Sequence, residues 1–208
     1  MKVILYGASG FIGSRILNEL LSRNHQVTGV VRDISKIANP DVEALASDIC
    51  SSDQVAEIVA GSDAVISAYA APFSAPEKLV EATKSLIHGL KKSKIRRLIV
   101  VGGAGNLEVS PGVQLLETPE FPAAWKPVAL AHREAFRVLL TSDLDWTSFS
   151  PAALIEPGVK TGKYRLGQDD LVVDAKGESR ISAEDYATAL VDELENPKHI
   201  QRRFTIGY

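Results

Sequence analysis

Short apolar runs alternate with segments of helical periodicity along the first 150 residues. The runs predict strands at residues 3–6, 26–31, 42–46, 64–68, 97–101 and 146–149. Helices are expected directly after the first strand and at residues 53–60 (N-capped by Ser52), 76–92 and 128–140. Strands that alternate with helices favour parallel βαβ units. The predicted fold class is therefore α/β, with a doubly wound parallel sheet.

The remaining segments have different patterns. Residues 107–127 hold four of the ten prolines and show no clear period, so we expect a long irregular loop that could form a lid. Residues 163–166 and 171–174 alternate around the turn at 167–170, which predicts a small antiparallel excursion. A helix at 183–195, capped by Ser182, and a strand at 203–206 follow. We expect a single domain over residues 1–208.

Glycine recurs at every third position between the first strand and its helix, at Gly7, Gly10 and Gly13. In a Rossmann unit such glycines permit the turn, the approach of a pyrophosphate and close helix packing, respectively. The helix N-terminus also favours an anion. The spacing is G-x-x-G-x-x-G rather than G-x-G-x-x-G, and a plain strand-to-helix turn is the alternative. We expect Ser9, Phe11 and Ile12, within this turn, to contact the cofactor as well.

The second predicted strand ends at Arg32, with Lys36 four residues later. The residue after this strand meets the adenosine ribose in a Rossmann unit, where an arginine accommodates a 2′-phosphate. Two cations favour NADP(H), with NAD(H) as the alternative. Asp33, beside Arg32, leaves a solvated surface pair as the competing interpretation.

The carboxyl ends of the later strands supply further candidates, because ligands of open α/β sheets gather at that edge. Asp48 could accept a hydrogen bond from the adenine amino group or could only begin a turn. Tyr69 could border the nicotinamide or simply pack. The other predicted cofactor contacts at these strand ends are Ile49, Ala68, Ala70, Val101, Gly102, Gly103, Pro151 and Ala152. On this basis residues 1–155 form a nucleotide-binding core, and residues 156–208 form a substrate-side extension.

Few side chains near the predicted hydride site could carry a proton. His132 could donate to a ligand or could serve a structural role, and Lys126 supplies a cation. Phe121 and Trp125 offer aromatic surface to a substrate or anchor their loop. His132 and Lys126 are the catalytic candidates.

Composition excludes several classes of function. With 45% hydrophobic residues and a net charge of −3, the chain can bury a core, and it has no basic stripe for nucleic acid or anionic membrane. The single cysteine, Cys50, rules out an internal disulfide, and no Cys/His spacing indicates a metal site. No signal-peptide pattern or apolar run long enough to span a bilayer is present, which favours a cytoplasmic protein. We expect a monomer or a homodimer.

These motifs together resemble those of the atypical short-chain dehydrogenase/reductases. More closely, the chain is similar to the NADH-flavin reductase family related to biliverdin IXβ reductase. The resemblance covers most of the chain and rests on the segments at residues 7–13, 30–33, 100–105, 131–134 and 150–152. It implies a Rossmann-like NADP-binding fold and a small-molecule aromatic acceptor, with flavin as substrate rather than prosthetic group.

The chain departs from ordinary short-chain dehydrogenases in its catalytic residues. None of its five tyrosines has a lysine four residues on, and Gly102 and Gly103 stand where many relatives carry serine or threonine. We therefore expect an NADPH-dependent reductase of a flat acceptor, flavin first and quinone or tetrapyrrole next, because stacking and hydride transfer suffice there. The alternatives are an NADP(H)-binding redox sensor of NmrA-like type without turnover, and an NAD(P)-dependent epimerase or isomerase.

Overall fold

A computed structural model of the protein describes residues 1–37 and 39–208. Its helices are α1 (Phe11–Ser22), α2 (Ser52–Val59), α3 (Lys78–Ser93), α4 (Lys126–Leu140) and α5 (Ala183–Glu195). Its strands are β1 (Lys2–Tyr6), β2 (Gln26–Val31), β3 (Glu43–Ala46), β4 (Ala64–Ser67), β5 (Arg97–Val101), β6 (Glu108–Ser110), β7 (Val113–Gln114), β8 (Asp145–Ser150), β9 (Leu154–Glu156), β10 (Arg165–Gly167), β11 (Arg180–Ser182) and β12 (Arg202–Gly207).

Eight of these strands form the main sheet, in the order β10-β12-β8-β5-β4-β1-β2-β3. All its neighbours are parallel except β10 and β12, which are antiparallel at one edge. The chain starts near the middle of the sheet and winds outward in both directions, which is the doubly wound order. The predicted fold class is confirmed, and β12, from the C-terminal quarter, completes this sheet.

Neighbouring residues of the central strands face opposite sides of the sheet and form two apolar cores. Leu5, Ile66 and Ile99 pack on the side of α1 and α5, in a cluster that includes Leu190. The residues preceding them in β1, β4 and β5 pack on the other side, against α2, α3 and α4. Because the sheet is covered on both faces, ligands have access mainly at its edges.

Several predicted boundaries differ from the structure. Ser51 rather than Ser52 caps α2, and its hydroxyl accepts from Gln54 N at 3.4 Å. The small antiparallel excursion in the C-terminal quarter is confirmed, but β10 pairs with β12, and residues 171–174 do not form a strand. The segment 107–127 is not wholly irregular, since it contains the β6–β7 ribbon and α4 already begins at Lys126. The strand pair β9 and β11 was not predicted, because its partners are distant in sequence.

Ser182 caps α5 as predicted, and its hydroxyl accepts from Asp185 N at 3.0 Å. The carboxylate of Asp185 accepts hydrogen bonds from the backbone of Thr161 and Gly162 and from the Tyr208 hydroxyl. These bonds hold the pKa of Asp185 below its usual value despite partial burial. The helix start therefore anchors both the segment before β10 and the C-terminus.

Helix α1 lies very close to the turn after β1. A Cβ atom on Gly13 would lie 2.0 Å from Gly7 O and 3.3 Å from Ala8 Cα, so only glycine permits this approach. Gly7 itself has φ of +77° and donates from its backbone to Val30 O at 2.9 Å. The helix start is thereby fixed against β1 and β2.

Replacing Gly13 by alanine tests this close approach. We expect Gly13→Ala to lower the free energy of unfolding by about 1–3 kcal/mol, since the added methyl group meets backbone that cannot rotate away. Urea denaturation measures the change, with Asn18→Ala on the exposed face of α1 as the matched control. Equal stability of the two variants would contradict the proposed constraint.

Candidate functional site

The N-terminus of α1 opens at the carboxyl edge of the sheet. Gly10 is its N-cap, with no side-chain cap hydrogen bond from the described residues and no acidic residue in the first turn. Gly10 N donates to Gly7 O and Ser14 N to Gly10 O, both at 2.9 Å. The amides at the very start of the helix and its positive end are thus left for an external anion.

A cavity of about 460 Å³ lies against this helix start, at the ends of β1, β2 and β4. The predicted cofactor residues that line it are Gly7, Ser9, Gly10, Arg32, Asp48, Ile49, Ala68, Tyr69 and Ala70. Nine predicted residues from four separate segments thus meet in one cleft. Its size falls within the range of small-molecule sites.

Arg32 reaches this cavity without a carboxylate partner among the described residues. Asp33 does not line the cavity, and its carboxylate accepts from Ser35 N at 3.1 Å and from Ser35 Oγ at 2.7 Å. Those hydrogen bonds lower the pKa of Asp33. The contact of Arg32 with a phosphate stays a prediction. Lys36 lies on the same turn, exposed and outside the cavity.

Asp48 lines the larger cavity and also stabilises the turn before α2. Its Oδ1 accepts from Cys50 N at 2.9 Å, and its backbone N donates to Gln54 Oε1 at 3.1 Å. Cys50 also lines the cavity, where burial, aided by Asp48 and Glu81, raises the pKa of its thiol. A thiol that stays protonated is a poor nucleophile.

A second, smaller cavity of about 30 Å³ adjoins the ends of β5 and β8. The predicted residues Val101, Gly102, Gly103 and His132 line it, and Tyr69 lines both cavities. Burial lowers the pKa of His132 to about 4, so its imidazole is neutral at physiological pH. Its ring forms no hydrogen bond to any residue that the structure describes.

A buried polar chain holds the glycine segment in place. Arg203 Nη1 donates to the Asn106 backbone O at 2.9 Å. With its side-chain O and N assigned so that both neighbours are satisfied, the Asn106 amide also donates to Gly103 O at 2.8 Å and accepts from Arg203 Nη1 at 3.2 Å. Arg203 is paired with Asp169, and its guanidinium lies 4.8 Å from the Phe136 ring centroid. The backbone after β5 is therefore fixed from β12, on the far side of β8.

The structure leaves some predicted site residues outside both cavities. Phe11 is exposed under the Arg15 guanidinium, Lys126 is exposed, and Ala152 is buried in the core. The other predicted residues outside the two cavities are Ile12, Gly13, Lys36 and Pro151. Gly13 still serves the site indirectly, because it allows α1 to approach the turn.

Sequence reasoning missed other lining residues. Lys78, at the start of α3, and Tyr6 line the larger cavity, and Ser148 and Ser150 line the smaller one. The two serines alternate along β8 with Phe149 and face the side opposite to it, so strand periodicity could have found them. Nothing local to Lys78 indicated its position.

In residues 1–37 and 39–208, no group of three or more His, Cys, Asp and Glu side chains could hold a metal ion. No helix in those ranges is long and apolar enough to cross a membrane.

Solved structures of similar proteins share the whole fold. A putative epimerase from Bacteroides thetaiotaomicron is 46% identical, with a TM-score of 0.94 over 100% of this chain and 96% of that chain. A putative NADH-flavin reductase from Streptococcus pneumoniae is 34% identical, with a TM-score of 0.89 over 100% and 99%. A putative exported protein from Burkholderia pseudomallei is 48% identical, with a TM-score of 0.92 over the full length of both chains. The cytoplasmic location therefore stays a prediction.

Sequence comparison agrees with the geometry. Protein YwnB of Bacillus subtilis, which is uncharacterized, is 43% identical over 210 aligned residues, covering 99% of this chain and 98% of YwnB. Residues 7–197 match the model of a family described as NAD(P)H-binding, which spans the glycine turn, both cavities and α5. The chain therefore belongs to the NAD(P)H-binding family.

Proposed function

We propose that the protein is an NADPH-dependent reductase that transfers hydride to a flat aromatic acceptor. The observation that carries the cofactor assignment is the cleft where the uncapped start of α1 and Arg32 face one space. Side chains at Gly7 and Gly13 would collide with backbone, so only glycine lets the turn and the start of α1 lie close together. This close packing forms the backbone site for a pyrophosphate. The reduced nicotinamide, when bound, supplies the hydride.

Each group around the cleft has a role in this proposal. Gly10 and the α1 amides bind the pyrophosphate, and Arg32 binds the 2′-phosphate through its guanidinium. Asp48, whose Oδ2 makes no hydrogen bond to the described residues, accepts from the adenine amino group. Gly102 and Gly103 border the nicotinamide, where Asn106 fixes their backbone.

An exposed aromatic pair favours a flat acceptor. Phe73 follows Pro72, which lines the larger cavity, and its ring meets that of Trp125 edge to face with centroids 4.8 Å apart. The two residues are 62% and 52% exposed. Such aromatic surface beside a cofactor cleft suits stacking of a planar ligand. The relative named a putative NADH-flavin reductase is consistent with that acceptor class.

Epimerization is the second candidate, favoured by the name of the relative from Bacteroides thetaiotaomicron. That chemistry needs a group that moves a proton to and from a substrate oxygen. The tyrosine–lysine pair that performs this in ordinary short-chain dehydrogenases is missing from the sequence. The reductase is therefore preferred.

The direct test is oxidation of NADPH by the purified protein with FMN, FAD or a quinone, followed by stopped-flow absorbance. We expect rates well above the reaction of NADPH with each acceptor in free solution, because the protein orients the two rings. Turnover of a nucleotide sugar without net oxidation would support epimerization instead. Distinct affinities for NADP⁺ and NADPH, without reduction of any acceptor, would indicate a sensor.

The choice of cofactor depends on Arg32. We expect Arg32→Ala to weaken NADPH binding by about 1–3 kcal/mol, the range for a hydrogen bond to a charged group, and to leave NADH binding nearly unchanged. Lys36→Ala is the matched control and should have a smaller effect, since Lys36 lies outside the cavity. Calorimetric titration measures both. Equal losses for NADPH and NADH would show that Arg32 does not discriminate between them.

The acceptor surface depends on Trp125. We expect Trp125→Ala to raise KM for the aromatic acceptor about 3- to 10-fold, corresponding to the loss of one aromatic contact, with the affinity for NADPH unchanged. Leu140→Ala, which removes another exposed apolar side chain at the far end of α4, is the control. Steady-state kinetics with FMN and a quinone provide the values. An unchanged KM in Trp125→Ala would exclude this surface.

A further inference from the structure

The smaller cavity collects polar side chains that lack protein partners. Ser67, Ser148 and Ser150 line it and are 7%, 3% and 1% exposed, respectively. None of their hydroxyls forms a hydrogen bond within residues 1–37 and 39–208, and neither does the His132 ring opposite them. Three hydroxyls and one imidazole without protein partners in those ranges thus line one space, and polar groups in such a place are satisfied by an ordered water or another polar ligand.

The geometry around the two glycines shows where these groups converge. A Cβ atom on Gly102 would lie 2.8 Å from Ser150 Oγ and 3.2 Å from Ser148 Oγ. A Cβ atom on Gly103 would lie 2.9 Å from the His132 ring. Side chains at positions 102 and 103 would fill a space after β5, and this space is bordered by two hydroxyls and an imidazole.

The size of the smaller cavity matches a very small ligand. Its volume of about 30 Å³ suits a single water molecule, which needs two to four polar partners. Water also matches the chemistry of the lining, because a hydroxyl and a neutral imidazole can each donate or accept a hydrogen bond. His132 borders the cavity and keeps partial exposure to solvent.

We propose that this cavity holds an ordered water, bound by Ser148, Ser150 and His132, that delivers a proton to an acceptor oxygen beside Gly102 and Gly103. The inference rests on the proposed reductase and narrows its acceptor to a quinone. The quinone takes a hydride with its electron pair from the reduced cofactor, and one quinone oxygen takes a proton from the water. The water regains a proton from solvent through the imidazole, so the products are hydroquinone and oxidised cofactor.

Reduction of a quinone requires this proton more than reduction of a flavin does. Hydride transfer leaves a hydroquinone monoanion, which is basic enough to be protonated near neutral pH, whereas reduced flavin persists there partly as an anion. Tyr69 lines both cavities, so the water lies across one side chain from the cofactor cleft. Asn106 holds Gly103 O, which keeps the glycine wall of the cavity fixed.

The test compares two variants of the cavity with a matched control. We expect His132→Phe and Ser150→Ala to slow the reduction of 1,4-benzoquinone about 100-fold or more, the size of a lost proton-transfer contribution, with unchanged NADPH affinity. Wild-type turnover should slow in D₂O. Ser85→Ala is the control, since Ser85 is a buried serine of α3 with an unpartnered hydroxyl that lines neither cavity. It should retain wild-type kinetics.

The outcomes separate this inference from the proposed function. Wild-type rates in both cavity variants, or an equal loss in Ser85→Ala, would overturn the proton delivery. A crystal structure with bound NADP⁺ should show a water hydrogen-bonded to Ser150 and His132, and a dry cavity would overturn the water site. If the wild-type protein reduces no acceptor, the reductase and the proton delivery both fall, and the crystal structure decides the water site alone.

Discussion

The contact between α1 and the turn after β1 determines the geometry of the rest of the site. If α1 carried a side chain at Gly13, it could not lie this close to Gly7 O. The hydrogen bond from Gly7 N to Val30 O joins the same turn to β2, whose end carries Arg32. One backbone packing therefore sets the distance between the helix N-terminus and the cation, which in the proposed function is the separation between the pyrophosphate and the 2′-phosphate.

The doubly wound sheet then explains why the two cavities are neighbours. β4 and β5 pair directly, and β8 lies on the other side of β5, so three carboxyl ends follow each other along one edge. The loop after β4 supplies Tyr69 to both cavities, while β5 and β8 supply Gly102 and Ser150 to the smaller one. A ligand that spans this edge meets the uncapped N-terminus of α1 at one end and the polar cavity at the other.

The predictable parts of the structure are those whose signal is local. The spacing of Gly7, Gly10 and Gly13, and the position of Arg32 after β2, are readable because strand, turn and helix follow one another in the chain. Pairing between distant segments cannot be read in this way. Alternation indicated a strand near Arg165, but it did not indicate that β12 is its partner. Likewise, Ser148 lies opposite Val100 only through the register of β5 and β8. Its role in a cavity therefore needed the fold.

The proposed reduction and the alternative epimerization differ in how the protein must handle protons. An epimerase removes a hydride and returns it to the same substrate, and it needs a base that cycles with each turnover. His132 is buried enough to stay neutral at physiological pH, and it lies beside glycines rather than a tyrosine–lysine pair. A neutral imidazole with hydroxyl neighbours can relay a proton between solvent and an acceptor, because one ring nitrogen accepts while the other donates. In the proposed reduction the hydride and the proton both remain on the acceptor, so one proton is taken up from solvent in each turnover and no residue has to act as a base toward the substrate.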